Sequence, residues 1–162
     1  MVRRFMSPER SSASQNAFRL IAIAYALFWL WSGVAKMKDP AAFAIAVRNF
    51  RLLGDPWVAA AALFIPSLEI VCAVAIVIRL GAKGALGILW LSLVVFTVAI
   101  AISWARGLDI ECGCFGVGDG RTVHYPVKLA QNFALLAMGG WLWWREAAKS
   151  LDQPNRPLPS PT

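Results

Sequence analysis

The chain has 162 residues and a formal net charge of +7, with 59% of residues hydrophobic and only 15% charged. A soluble domain is nearer half apolar and a quarter charged, so the composition excludes an ordinary soluble enzyme and leaves no room for a second domain of normal size. The basic residues sit between or beside apolar blocks. The charge therefore reads as topology and contact with anionic lipid, and nothing resembles a basic, aromatic-interleaved module for nucleic acid.

Residues 1–16 form a basic tail containing Arg3, Arg4 and Arg10. It resembles the flank of a signal sequence. The apolar stretch that follows runs on too long, and no small-residue cleavage site ends it, so the spacing predicts a retained first helix. Four apolar blocks follow, each long enough to cross a hydrocarbon core of about 30 Å at about 1.5 Å per residue. The first covers residues 17–37, and Pro40 stops it. Over residues 41–53, Phe43, Val47, Phe50 and Leu53 recur at helical spacing with Arg48 and Arg51 between them. This pattern predicts a short amphipathic helix on the membrane surface.

After a turn at Gly54, Asp55 and Pro56, the second block covers residues 57–80 and includes Pro66, a predicted kink, and Glu69. Gly81, Ala82 and Lys83 make a tight link to the third block, residues 84–104. A stretch rich in glycine and acid occupies residues 106–125. The fourth block covers residues 126–144, with Pro126 at an early helical position. A proline-rich tail, 145–162, completes the chain and is expected to be poorly ordered. Trp57, Trp104, Trp143 and Trp144 fall at block ends, as an interfacial aromatic belt requires. The fold expected is all-α: a polytopic membrane protein whose residues 17–144 form a four-transmembrane-helix bundle with an amphipathic interfacial helix after the first span.

With four spans, both termini share a side. That side receives Arg3, Arg4, Arg10, Arg19, Arg79, Lys83, Arg145, Lys149 and Arg156. The other receives Lys36, Lys38, Arg48, Arg51, Arg106, Arg121 and Lys128. The positive-inside rule favours cytoplasmic termini by a small margin and puts the third connection on the extracytoplasmic face, where oxidised thiols persist.

That connection holds Cys112, Gly113 and Cys114, two of the three cysteines of the chain. Sulfurs two residues apart join only in a strained, turn-like backbone, and Gly113 relieves part of the strain. A strained bond is easily reduced, which suits exchange better than a structural role. Phe115 and Gly116 continue the turn. Asp109 and Glu111 beside the pair oppose a strongly acidic thiol. Two other readings stay open: reduced, inert thiols, or two ligands of a metal site. The metal reading lacks ligands, since His124 is the only histidine and a third thiolate would have to come from Cys72.

Glu69 is the one acidic residue well inside a block. A carboxylate at membrane depth is costly and should face the bundle interior with a partner. Lys36 is the candidate if the first two spans are neighbours; protonation is the other solution. Glu69 then serves as a proton relay, as an anchor for a polar headgroup such as a quinone's, or as a polar clamp between helices. Cys72, three residues on, reads as a small hydrophobe or a further redox thiol. His124 reads as a loop residue or a proton-transfer group near the cysteines. Asn132 reads as an interhelical hydrogen bond, and Gly33 as a site of close helix approach.

The segment FWLWSGVAKMKDPAAFAIAVRNFRLL, the PSLEI of the second block and ECGCFG before a last helix with Asn132 together resemble the methylamine utilisation protein MauE family. That family is similar to the broader DoxX-like four-helix membrane proteins. The resemblance covers roughly residues 18–144. It implies a role in maturing the small subunit of methylamine dehydrogenase, a periplasmic enzyme dense in disulfides, with a thioredoxin-like partner. It also implies that Cys112 and Cys114 are the exchanging pair. The family's fourth span carries Arg beside the Asn, where this chain has Gln131.

Three functional classes follow. A thiol–disulfide oxidoreductase or electron carrier, with a quinone as an electron partner, depends on the cysteines. A non-catalytic assembly scaffold depends on the segment around Phe43, Arg48 and Phe50. A small transporter depends on Glu69.

Overall fold

The computed structural model describes residues 12–108 and 125–151. These form five helices: α1 (Ser12–Lys38), α2 (Pro40–Asn49), α3 (Asp55–Ile78), α4 (Ala82–Ala105) and α5 (Tyr125–Leu151). Local chemistry sets each boundary. Between α1 and α2, Pro40 has no N–H to continue α1 but suits the first turn of α2. Asp39 caps that turn by accepting a hydrogen bond from the Ala42 N–H at 2.9 Å. α2 ends four residues earlier than residue 53, because Arg51 turns into the left-handed region at φ 51°.

α3 continues through Pro66. It stops at Arg79, which adopts φ 62°, while the Leu80 and Arg79 N–H groups return to the carbonyls of Ala75 and Ile76. This is a Schellman closure with arginine where glycine is usual, at a cost of roughly 1–2 kcal/mol for the left-handed residue. α4 closes in the same way, with Gly107 at φ 64°. α5 runs on to Leu151 and does not end at Trp144. The residues after Trp144, Arg-Glu-Ala-Ala-Lys, are strong helix formers, and the prolines begin only at Pro154.

The helices pack in the ring order α1–α3–α4–α5, and the contact from α5 back to α1 is thin. The α1–α3 interface is the most extensive, and α2 folds back against α3. The main core gathers Tyr25, Trp29, Ala73, Ile76, Leu86, Leu89 and Leu142 from all four long helices. A second cluster joins Phe43 and Val47 of α2 to Val58 and Ala62 of α3.

The outer surface is apolar as well. Leu80 is 72% exposed and Trp57 68%, with Phe64, Leu91 and Val95 similarly bare. An apolar exterior on this scale is stable only in lipid. Among the described residues three helical stretches are long and apolar enough to cross a membrane: Ser14–Lys38, Asp55–Ile78 and Ala82–Ala105. The chain is an all-α, multi-span membrane protein.

Candidate functional site

Lys36 and Glu69 form a buried ion pair between α1 and α3. The Lys36 ammonium donates to both carboxylate oxygens, at 2.6 and 2.8 Å. Their side chains are only 3% and 1% exposed. Helical side chains lean toward the helix N-terminus, so Lys36, near the end of α1, reaches back into the bundle. Glu69 lies nine residues before the end of α3, about 14 Å at 1.5 Å per residue and so close to the middle of a hydrocarbon core.

A single charge there would be expensive, and the pairing offsets much of that cost. Two rings complete the enclosure: Phe43 of α2 and Phe96 of α4 stand 5.5 and 5.3 Å from the Lys36 nitrogen. Both are within cation–π range.

Gly33 makes this approach of α1 to α3 feasible. A Cβ on Gly33 would lie 2.8 Å from the Ile70 side chain, 3.0 Å from the Pro66 carbonyl oxygen and 3.3 Å from the Glu69 Cβ. The carbonyl is backbone and cannot move aside cheaply. Gly33 therefore sets the depth at which Lys36 meets Glu69.

The polar layer extends to the last helix. Asn132 of α5 donates to the Thr97 hydroxyl at 3.2 Å, and that hydroxyl donates to the Leu93 carbonyl at 2.7 Å. Thr97 follows Phe96 directly in α4. At this level every helix contributes a residue: Lys36, Phe43, Glu69, Phe96 with Thr97, and Asn132. The groups satisfy one another, so the arrangement holds helices in register. Cys72 is buried in the main core with Tyr25 and Trp29, where it fills space as a small apolar side chain.

Cys112, Gly113, Cys114, Phe115, Gly116 and His124 lie outside the described residues. The two ends of their segment are described. Trp104 and Tyr125 stack at 6.2 Å with their planes 10° apart, and the Tyr125 hydroxyl donates to the Leu108 carbonyl. Residue 108 is thus held against residue 125. Phe50, Ile100, Leu108 and Leu129 pack beneath this junction.

Of the site residues anticipated from sequence, the structure brings together Lys36 and Glu69, with Gly33 beside them, and gives Asn132 an interhelical hydrogen bond. Sequence reasoning missed Phe96, Thr97 and the Trp104–Tyr125 stack. Thr97 carried a signal, being the only polar residue between Ser92 and Ser103 of α4. The two rings carried none, because aromatic residues are common at membrane boundaries for other reasons.

The fold and the site define a class: a helical multi-span membrane protein whose helices meet around a neutralised, fully enclosed Lys–Glu pair. Within that class the chain belongs to the MauE family, described as Methylamine utilisation protein MauE, which matches residues 14–145. It is 34% identical over 119 residues to Methylamine utilization protein MauE of Paracoccus denitrificans, covering 73% of this chain and 63% of the relative. The protein of the same name from Methylorubrum extorquens is 38% identical over 131 residues, covering 79% and 66%. That from Paracoccus versutus is 36% identical over 108 residues, covering 66% and 58%. The chain therefore spans somewhat under two thirds of the length of these relatives. No solved structure matches it.

Proposed function

We propose that this chain is a membrane accessory protein for maturing extracytoplasmic proteins, and that it works by thiol–disulfide exchange at Cys112 and Cys114. The observation that carries the reading is the Cys-Gly-Cys spacing in the sequence that joins α4 to α5. Family membership supports the accessory role. By analogy, the client is the small subunit of methylamine dehydrogenase or another disulfide-containing protein, and a thioredoxin-like protein is the exchange partner.

The step balances as follows. A client thiolate attacks one sulfur of the oxidised pair, the other sulfur leaves, and a mixed disulfide forms. A second client thiolate attacks the client sulfur of that bond. The client gains a disulfide, and Cys112 and Cys114 leave as two thiols carrying two electrons and two protons. The disulfide of the partner, or a quinone, then takes these up. Gly113, Phe115 and Gly116 shape the turn that lets the bond close and reopen, and His124, the chain's one histidine, is the proposed proton carrier.

In this reading α5 is a fourth span, α2 lies at the membrane interface, and the termini are cytoplasmic. The length of α5, 27 residues, and the charge bias between the two sides support that topology. The Trp104–Tyr125 stack supports it too, since it sets the start of α5 beside the end of α4, as adjacent antiparallel spans require. Lys36, Glu69 and Asn132 tie the helices together in the same bundle.

A second reading, a non-catalytic scaffold, is favoured by the internal satisfaction of the polar layer. The two separate in one experiment. Cys112→Ser and Cys114→Ser are expressed in place of the native chain, and client disulfide formation is followed with a membrane-impermeant thiol mass tag. Exchange chemistry requires both variants to lose client oxidation and requires one of them to trap a mixed disulfide. Full complementation by both variants sinks exchange and leaves the scaffold. Labelling of the thiols only after the inner membrane is permeabilised sinks the proposed topology.

A further inference from the structure

The end of the bundle opposite the Trp104–Tyr125 stack contains a cavity of about 210 Å³. It lies where the start of α1, the end of α3, the start of α4 and the end of α5 come together. Phe18, Ile76 and Leu86 supply apolar walls, while Arg19, Arg79 and Glu146 supply the charged lining. Arg19 is exposed and makes no ion pair with any described residue. Arg79 is 54% exposed and touches Glu146 only loosely, at 3.8 Å. A third guanidinium, that of Arg145, lies 5.2 Å over the Phe18 ring at the edge of the same space.

We infer that this cavity is a binding site for an anionic membrane phospholipid of the leaflet next to the two termini, with the phosphodiester between Arg19 and Arg79 and an acyl chain along Phe18, Ile76 and Leu86. The argument is one of matched chemistry. The cavity pairs hydrocarbon walls with a net positive mouth at the end of a membrane bundle, and basic pockets between spans on such a face bind acidic headgroups. Guanidinium groups engage phosphate oxygens in pairs and keep their charge at any working pH. Arg79 holds its place through the left-handed turn at φ 62° that ends α3. A larger apolar cavity of about 510 Å³, lined by Phe64, Leu68 and Val95 among others, has no charged lining residue and so no means of selecting a headgroup. The inference does not depend on the cysteine chemistry.

The test uses the purified full chain in nanodiscs of phosphatidylcholine with increasing phosphatidylglycerol. Lipid retention is read by native mass spectrometry and stability by the melting temperature. Phosphatidylglycerol should stabilise the native chain and be retained selectively. Arg19→Gln with Arg79→Gln should weaken retention by about thirtyfold, the effect of losing two basic side chains at a membrane surface. Arg51→Gln with Arg106→Gln, at the other end of the bundle, should leave retention unchanged. Arg19→Lys with Arg79→Lys keeps both charges and should retain most of it, which guards against a glutamine variant that simply misfolds. Equal behaviour of the native chain in the two lipids overturns the site without any variant. Equal stabilisation by free inorganic phosphate overturns the lipid and assigns the arginines to a soluble anion. Equal loss from the Arg51/Arg106 pair reduces the effect to overall charge and also overturns the site.

Discussion

Trp104 and Tyr125 stack with their ring planes 10° apart, and this contact joins the end of α4 to the start of α5. Residues 106–124 separate the two helices in sequence, yet the two helix ends touch. Losing this contact would free the ends of α4 and α5 from each other.

Trp104→Ala therefore should separate folding from presentation. The stack lies at the rim of the bundle, so the melting temperature of the purified chain should fall only modestly, by about 0.5–1.5 kcal/mol in stability for a lost aromatic pair. Limited proteolysis within residues 109–124 should accelerate. Unchanged cleavage would show that the junction does not restrain the segment. Tyr125→Phe, which keeps the ring but removes the hydroxyl that donates to Leu108, should produce a smaller acceleration.

The Lys36–Glu69 pair predicts strong non-additivity. Lys36→Met alone leaves a buried carboxylate, and Glu69→Leu alone leaves a buried ammonium between two rings. Each should cost about 3–5 kcal/mol. The double variant leaves no charge and should be more stable than either single one. Unfolding of all three in detergent, followed by circular dichroism, measures the coupling. Additive losses would mean that the two side chains do not depend on each other.

Gly33→Ala should destabilise the chain by about 1–3 kcal/mol, because a Cβ there meets the Pro66 carbonyl oxygen at 3.0 Å and overpacks the α1–α3 interface. A cysteine crosslink engineered between α1 and α3 would report the separation of the helices. No change in either melting or crosslinking rate would show that the close approach relaxes at little cost.

The Asn132–Thr97 hydrogen bond should contribute less than the ion pair. Thr97→Val removes the acceptor and should cost about 0.6–1.7 kcal/mol, the usual range for interhelical hydrogen bonds in membranes. Asn132→Leu combined with Thr97→Val should cost less than the sum of the single changes, as thermal melts of the four variants would show.

Much of the architecture was readable from residue order. Three long apolar blocks, the Pro40 boundary and the glycine-containing link after α3 mark helices of the described residues, because helix length and chain breaks are local properties. Three boundaries were not readable. α1 is already helical at Ser12, inside the predicted tail. α2 stops at Asn49 because Arg51 adopts a left-handed backbone, which arginine does not announce. α5 continues past Trp144 because residues 145–149 are helix formers whose polarity made them resemble a tail. The chain also shows that hydrophobicity alone does not give the packing order, since any two apolar helices are equally miscible with lipid.

For the site, the sequence alone determined that Glu69 needed either a partner or a proton, offered Lys36 as a candidate partner if the first two spans were neighbours, and favoured an interhelical hydrogen bond for Asn132. These conclusions follow from the cost of a polar group in hydrocarbon, which is independent of the fold. Only the tertiary structure decided that α1 lies against α3 closely enough for the pair to form, that Phe43 and Phe96 enclose it, and that Thr97 is the acceptor for Asn132. It alone placed Trp104 against Tyr125 and brought Arg19, Arg79 and Glu146 around one cavity. Most of those relationships join residues more than twenty positions apart in the chain, and contacts between separate helices depend on how whole helices dock, which no local pattern encodes.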